Sequence, residues 1–280
     1  METSNMRQVF PASISLIDLG KLYRRGGHVS RNIDTAIDLF KIAASLGATD
    51  ALFELGELSL ENPEEIAAET VELMESAAYQ GCAAAQLWLA CNRYYGRRIQ
   101  RNMVEAYHWL SRVSQNDDCP PEVFYLLGKS IISGDGVPEA DYKVAVMAFH
   151  KALFKSGLDK WGKPLHEKGK ESVAKEHMLS ETKVRDIQFL LGVSRYSGLG
   201  LERNDRMAFC HLVSSVLDGD AHAIVNPEAE YLIGKCFYYG LGIKKNLSQA
   251  LFWFEVSAKN GNSQAELMLK KIEAAEKKGQ

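Results

Sequence analysis

Apolar residues recur at helical spacing along most of the chain, in paired short stretches separated by glycine turns. The pattern is clearest in AEYLIGKCFYYGLGIKKNLSQALFWFEVSAKNG, residues 229–261. Its first stretch carries Leu232, Gly234 and Phe237 and ends at Tyr239. Gly240 and Gly242 then allow a tight reversal, because glycine reaches positive φ at little steric cost. Asn246 stands where an N-cap belongs, its side-chain oxygen offered to an orphan backbone N–H. The second stretch places Ala250, Trp253, Phe254 and Ala258 on one face, and Gly261 terminates it. Asn246-Leu247-Ser248 also spells a glycosylation sequon, but the cap accounts for the same residues.

The same pattern recurs in register. With the small residue of the first helix as zero, the six copies centre on Gly20, Gly56, Ala90, Gly128, Gly192 and Gly234. A glycine lies six residues on in five copies: Gly26, Gly96, Gly134, Gly198 and Gly240. A basic residue and Asn follow in four, as Arg31-Asn32, Arg101-Asn102, Arg203-Asn204 and Lys245-Asn246. An alanine stands four residues beyond each Asn, at Ala36, Ala106, Ala208 and Ala250. Self-similarity at this period predicts stacked helical hairpins, each burying its apolar face on the next. The hairpins are expected at about 13–47, 50–81, 83–114, 122–157, 184–219 and 228–261.

LGKLYRRGG, LGKSIISGDGV, LGVSRYSGLGL and IGKCFYYGLGI resemble the LG-x-x-Y-x-x-G-x-G core of the Sel1-like repeat family. ALFWFEVSAKNG and AIDLFKIAASLG are similar to its second helix. The resemblance implies an all-α, right-handed α/α superhelical solenoid of about six Sel1-like, tetratricopeptide-like repeats, forming one domain over 13–275. Two copies depart from it: the one at Gly56 has Glu61-Asn62-Pro63 in place of the glycine turn, and the one at Ala90 reads LACNRYYGRR. The resemblance further implies a non-catalytic scaffold, adaptor or regulatory subunit that binds a protein partner through its concave face. Family members scaffold membrane-protein degradation complexes, activate chitin synthase or assist assembly of respiratory complexes. The expected role therefore carries two alternatives, an assembly factor for a respiratory complex or another organelle, and a hydrolase-like enzyme. Some bacterial members staple each hairpin with a disulfide, but Cys82, Cys91, Cys119, Cys210 and Cys236 do not recur in register.

The spacing breaks once. Gly128 and Gly192 lie 64 residues apart, well beyond one repeat, so residues 158–182 read as an insertion. It is rich in Lys and Glu and interrupted by Gly162, Pro164 and Gly169, as expected of a solvated excursion or a partner-specific arm. After Gly261, residues 262–280 place Ala265, Leu267 or Met268, and Ile272 on one side and Lys/Glu on the other, the form of a capping helix and tail.

A formal net charge of −3 lacks the basic excess of a general nucleic-acid binder. No apolar run is long enough to span a membrane. The opening METSNMRQVFPASIS has no apolar core of a secretory signal and only Arg7 as a basic residue, and the final KKGQ is no prenylation box. An odd cysteine count without a CxxC pair fits reduced thiols. Together these point to a monomer in the cytoplasm, with nucleus and mitochondrion left open.

Motifs for chemistry are scarce. Seven histidines form neither HxxxH nor HExxH, and His108, His150 and His211 fall on second helices where packing roles are expected. Gly128-Lys129-Ser130 lacks the first glycine of a phosphate loop, since Val123 stands there. GLGLER has no strand before it, and GxSxG is absent. No catalytic residue, cofactor or metal ligand is therefore assigned. What remains is a surface. Positions three before, one after and four after the small residue should face outward from each first helix. They read Ile17/Lys21/Arg24, Phe53/Glu57/Leu60, Leu87/Cys91/Tyr94, Tyr125/Lys129/Ile132, Phe189/Val193/Tyr196 and Tyr231/Lys235/Tyr238. Tyr94, Tyr125, Tyr196, Tyr231 and Tyr238 with Lys129 and Lys235 have the composition of a protein-binding groove.

Overall fold

The computed structural model describes residues 16–26, 29–61, 68–97, 99–163, 165, 178–216 and 225–279. Among them are thirteen helices and no strand. The chain divides into two compact units. The first comprises residues 1–119 with 135–137, and the second 120–134 with 138–280.

The first unit holds α1 (16–25), α2 (Ile33–Ser45), α3 (Thr49–Glu61), α4 (Ala68–Tyr79), α5 (Ala83–Tyr95) and α6 (Met103–Val113). Helices α2 and α3 pack as neighbours, as do α4 with α5 and α5 with α6, while α5 also touches α3. The second unit holds α7 (Pro121–Ser133), α8 (Tyr142–Lys155), α9 (Glu181–Ser197), α10 (Asp205–Val216), α11 (Pro227–Tyr239), α12 (Leu247–Lys259) and α13 (Ser263–Gly279). Here α7–α8, α9–α10 and α11–α12 are the closely packed hairpins; α10 also packs on α11, and α13 on α12.

The sequence markers have physical jobs. The four expected caps form, with Asn32, Asn102, Asn204 and Asn246 each accepting from the backbone N–H three residues on, at 2.9–3.2 Å. Each of these Asn residues also donates its own N–H to the preceding first helix, at Tyr23, Arg93, Arg195 and Phe237, at 3.0 Å every time. One residue thus starts the second helix and ties it back to the first. The alanines four residues on, Ala36, Ala106, Ala208 and Ala250, are wholly buried.

The small residue at position zero admits a neighbour's side chain. A Cβ added at Gly234 would lie 2.6 Å from the Phe254 ring, inside van der Waals contact. Phe254 is fully buried, whereas Trp253, expected to lie between the helices, is only partly buried. It packs against a core of Leu212, Val216, Ala229, Leu232, Ile233 and Cys236 from α10 and α11. The 3.6-residue period placed both rings on one face, and the close approach of α11 through Gly234 selects Phe254 as the enclosed one.

The chain around the expected insertion is packed where it is described; residues 164 and 166–177 lie outside the described residues. Leu158 and Leu179 are buried. The Leu179 N–H reaches the Ser156 hydroxyl at 3.3 Å, and Leu165 donates to the Gly157 carbonyl at 2.8 Å. Asp159 accepts from the N–H groups of Trp161 and Lys163, closing a tight loop. These ends belong to the core of the second unit.

Candidate functional site

The outward-facing tyrosines and lysines lie on first helices of the hairpins, whose opposite faces are occupied by core residues. In the second unit they are linked across successive first helices. The Tyr125 hydroxyl and the Lys129 ammonium, both on α7, donate to one carboxylate oxygen of Asp186 on α9, at 2.7 and 2.8 Å. Lys183, a turn earlier on α9, pairs with Glu122 of α7 at 2.6 Å. Farther along α9 stands Tyr196, and above its ring lies the Lys235 ammonium of α11, 5.3 Å from the centroid. The same ammonium is 5.5 Å from the Tyr231 ring. Tyr231 and Tyr238 rest on Phe254 of α12, with centroids 5.8 and 6.4 Å away. Tyr125, Lys129, Tyr196, Tyr231, Lys235 and Tyr238 are all partly buried.

In the first unit Tyr94 is partly buried and meets Tyr95 edge-on at 5.1 Å. Ile17, expected to face outward, is buried at 6% exposure because α1 turns that side into the core. Lys21 and Arg24 both reach Glu54 of α3, at 3.4 and 2.7 Å. The side chains of Phe53, Glu57 and Leu60 lie outside the described residues.

The spacing argument missed the carboxylates. Asp186 and Glu54 join neighbouring first helices, yet they stand at different offsets from the small residue and carry no repeat signature. It also missed a buried polar cluster in the second unit. There the Gln188 amide nitrogen donates to the Lys160 carbonyl at 3.1 Å, which turns its oxygen toward His211. His211 therefore donates from Nδ1, at 2.7 Å. Trp161 stacks on the imidazole at 4.4 Å. Burial, reinforced by His150, Arg195 and Lys160, pushes the His211 pKa down to about 4, so the ring is neutral at pH 7. Of the other two histidines expected to pack, His108 is exposed but lies edge-on against Trp109, and His150, though exposed, still has part of its ring desolvated. Beside the cluster is a cavity of about 420 Å³ lined by Leu158, Trp161, Met178, Leu179, Arg185 and Gln188.

Little here resembles an arrangement for bond chemistry. Burial pushes the Cys236 thiol up to about 11, with Asp205 adding to the rise, which keeps it protonated. Among the described residues no three His, Cys, Asp or Glu side chains gather as a metal site would require. No described helix is long and apolar enough to cross a membrane.

The family model described as Sel1 repeat matches residues 13–47, 83–118, 187–211 and 227–262. No curated protein matches the chain. Among solved structures, a protective antigen of uropathogenic Escherichia coli with an SLR fold is 23% identical with a TM-score of 0.56, over 97% of this chain and 51% of its own. A Sel1 repeat protein from Oxalobacter formigenes is 20% identical with a TM-score of 0.46, over 93% of this chain and 66% of its own. A third, a putative Sel1 repeat protein from Klebsiella pneumoniae, is 18% identical with a TM-score of 0.38. This chain spans about half the length of the Escherichia coli protein, and at that identity the likeness speaks to fold alone. The chain thus carries four matches to the Sel1 repeat, each falling on a hairpin whose second helix starts at a capping Asn tied back to the first helix, as Asn246 is to Phe237 in the last.

Proposed function

We propose that this chain is a non-catalytic protein-binding scaffold, an adaptor or regulatory subunit, that engages its partner through the exposed faces of its first helices. The observation that supports this reading is the line of Tyr125, Lys129, Tyr196, Tyr231, Lys235 and Tyr238 on α7, α9 and α11. Partly packed aromatic rings lose little side-chain entropy when a partner covers them, and tyrosine is enriched among the residues that dominate binding energy. Tyr94 on α5 is assigned the same role in the first unit.

Tyr196→Ala and Tyr238→Ala test it. Each removes a partly buried ring, so a stability loss of about 1–2 kcal/mol is expected, with helicity retained. Partner affinity should fall by roughly 1–2 kcal/mol for each, about five- to thirty-fold. Affinity capture from native lysate, wild type beside the double variant, should show proteins lost from the variant at a temperature where circular dichroism finds both folded. Identical captured proteins on the two baits would refute the reading.

A further inference from the structure

Three of the six first helices carry lysine immediately after the small residue: Lys21, Lys129 and Lys235. Two of these cations pair with a carboxylate of the following first helix, Lys21 sharing its partner with Arg24. Lys21 meets Glu54 of α3 at 3.4 Å, and Lys129 meets Asp186 of α9 at 2.8 Å. After α11 the helix in that place is α13. Its described carboxylates at Glu266 and Glu273 are exposed, and neither pairs with Lys235. Lys235 instead meets tyrosines: its ammonium lies 5.3 and 5.5 Å from the Tyr196 and Tyr231 rings, hydrogen-bonds the Tyr196 side chain and has Tyr239 nearby, none of which carries a compensating charge at neutral pH. A cation over aromatic faces is favoured by their quadrupoles but keeps its net charge. The lysine is also partly buried, which removes part of its hydration.

We propose that Lys235, framed by Tyr196 and Tyr231, is the subsite that receives an Asp or Glu side chain from a peptide segment of the partner protein, in the place that Glu54 and Asp186 fill for the other two lysines. The proposal rests on the protein-binding reading above and specifies its chemistry. A single ammonium offers one charge and no bidentate fork, which suits one carboxylate better than a doubly charged phosphate. The two rings beside it, apolar on their faces, suit an uncharged side chain beside the acid. Charge complementarity at a partly desolvated position selects for that pairing and penalises a basic segment.

The probe is a phage-displayed library of random twelve-residue peptides, selected against the full chain and, in parallel, against Lys235→Glu. Peptides enriched on the wild-type chain should carry Asp or Glu beside an apolar residue. For a synthesised winner, Lys235→Met should weaken binding about ten-fold or more, and so should exchanging the peptide's acid for its amide. Combining the two changes should cost little beyond either alone, which marks the pair as interacting directly. Lys235→Glu should enrich peptides with Lys or Arg at the same place, a gain that misfolding could not produce. Wild-type winners that lack an acid, or acidic winners that bind Lys235→Met with unchanged affinity, would overturn the subsite. If such winners still lose affinity to Tyr196→Ala, the protein-binding reading survives while the acidic subsite does not. Failure to enrich any peptide over an unloaded surface would count against both.

Discussion

His211 shows how one residue can be read only once its neighbours are in place. Its ring is held neutral because burial penalises the imidazolium and three nearby groups oppose its charge. The native pKa of about 4 lies below the unfolded value of 6.5. Between these two values the unfolded chain binds a proton that the native chain does not, so stability falls as the pH drops through this window. Above pH 6.5 the contribution is complete, and below 4 the loss levels off at about 3 kcal/mol. His150 shifts in the same direction, through partial desolvation first, then Arg195 and Lys160, but being largely exposed it contributes less. Urea melts at pH 7 and pH 4.5 should therefore differ by less in His211→Gln than in wild type. An equal difference in the two would exclude His211 as the responsible group. Gly234 makes the related point for packing: glycine is poor in a helix interior, yet Phe254 leaves no room for a Cβ. Where that ring is Leu110, the corresponding small residue is Ala90, and both are fully buried.

At the scale of the element, the turn between paired helices also joins one hairpin to the previous one. Gly240 and Gly242 both have positive φ, at 77° and 70°. Their surroundings differ. A Cβ on Gly240 would find its nearest neighbour at 3.6 Å, whereas one on Gly242 would lie 2.2 Å from the carbonyl oxygen of Asp205 at the start of α10. Gly200 approaches Tyr142 of α8 in the same way. Gly240→Ala should thus cost only the left-handed backbone penalty, about 1–2 kcal/mol. Gly242→Ala should cost more, because backbone must move away from backbone and the contact between hairpins opens. Equal shifts in chemical denaturation midpoint would show that φ alone governs both sites. The first glycine is thus a turn residue, while the second is a packing residue between repeats.

Across the second unit, the described ends of the expected insertion do more than connect. Excising residues 166–177 and joining 165 to 178 with a short Gly/Ser linker should leave helicity and thermal midpoint near wild type, since loop closure changes slowly with length, by roughly 0.6 kcal/mol per doubling. Excising Leu158–Thr182 should cost several kcal/mol, because it removes two buried leucines and the Trp161 cover over His211. A full-length excision that melts like wild type would mean those contacts add nothing to the fold. The sequence alone determined the helical class, the paired helices, the caps and the small residue at each crossing. Those features depend on residues within about twenty positions of one another, and period and spacing encode them directly. The tertiary structure decided which ring of Trp253 and Phe254 is enclosed, which lysines find a carboxylate, and that Leu158 and Leu179 join the core. These outcomes depend on helices packing across long sequence separations, where a side chain's partner is set by the approach of another backbone and leaves no period to read.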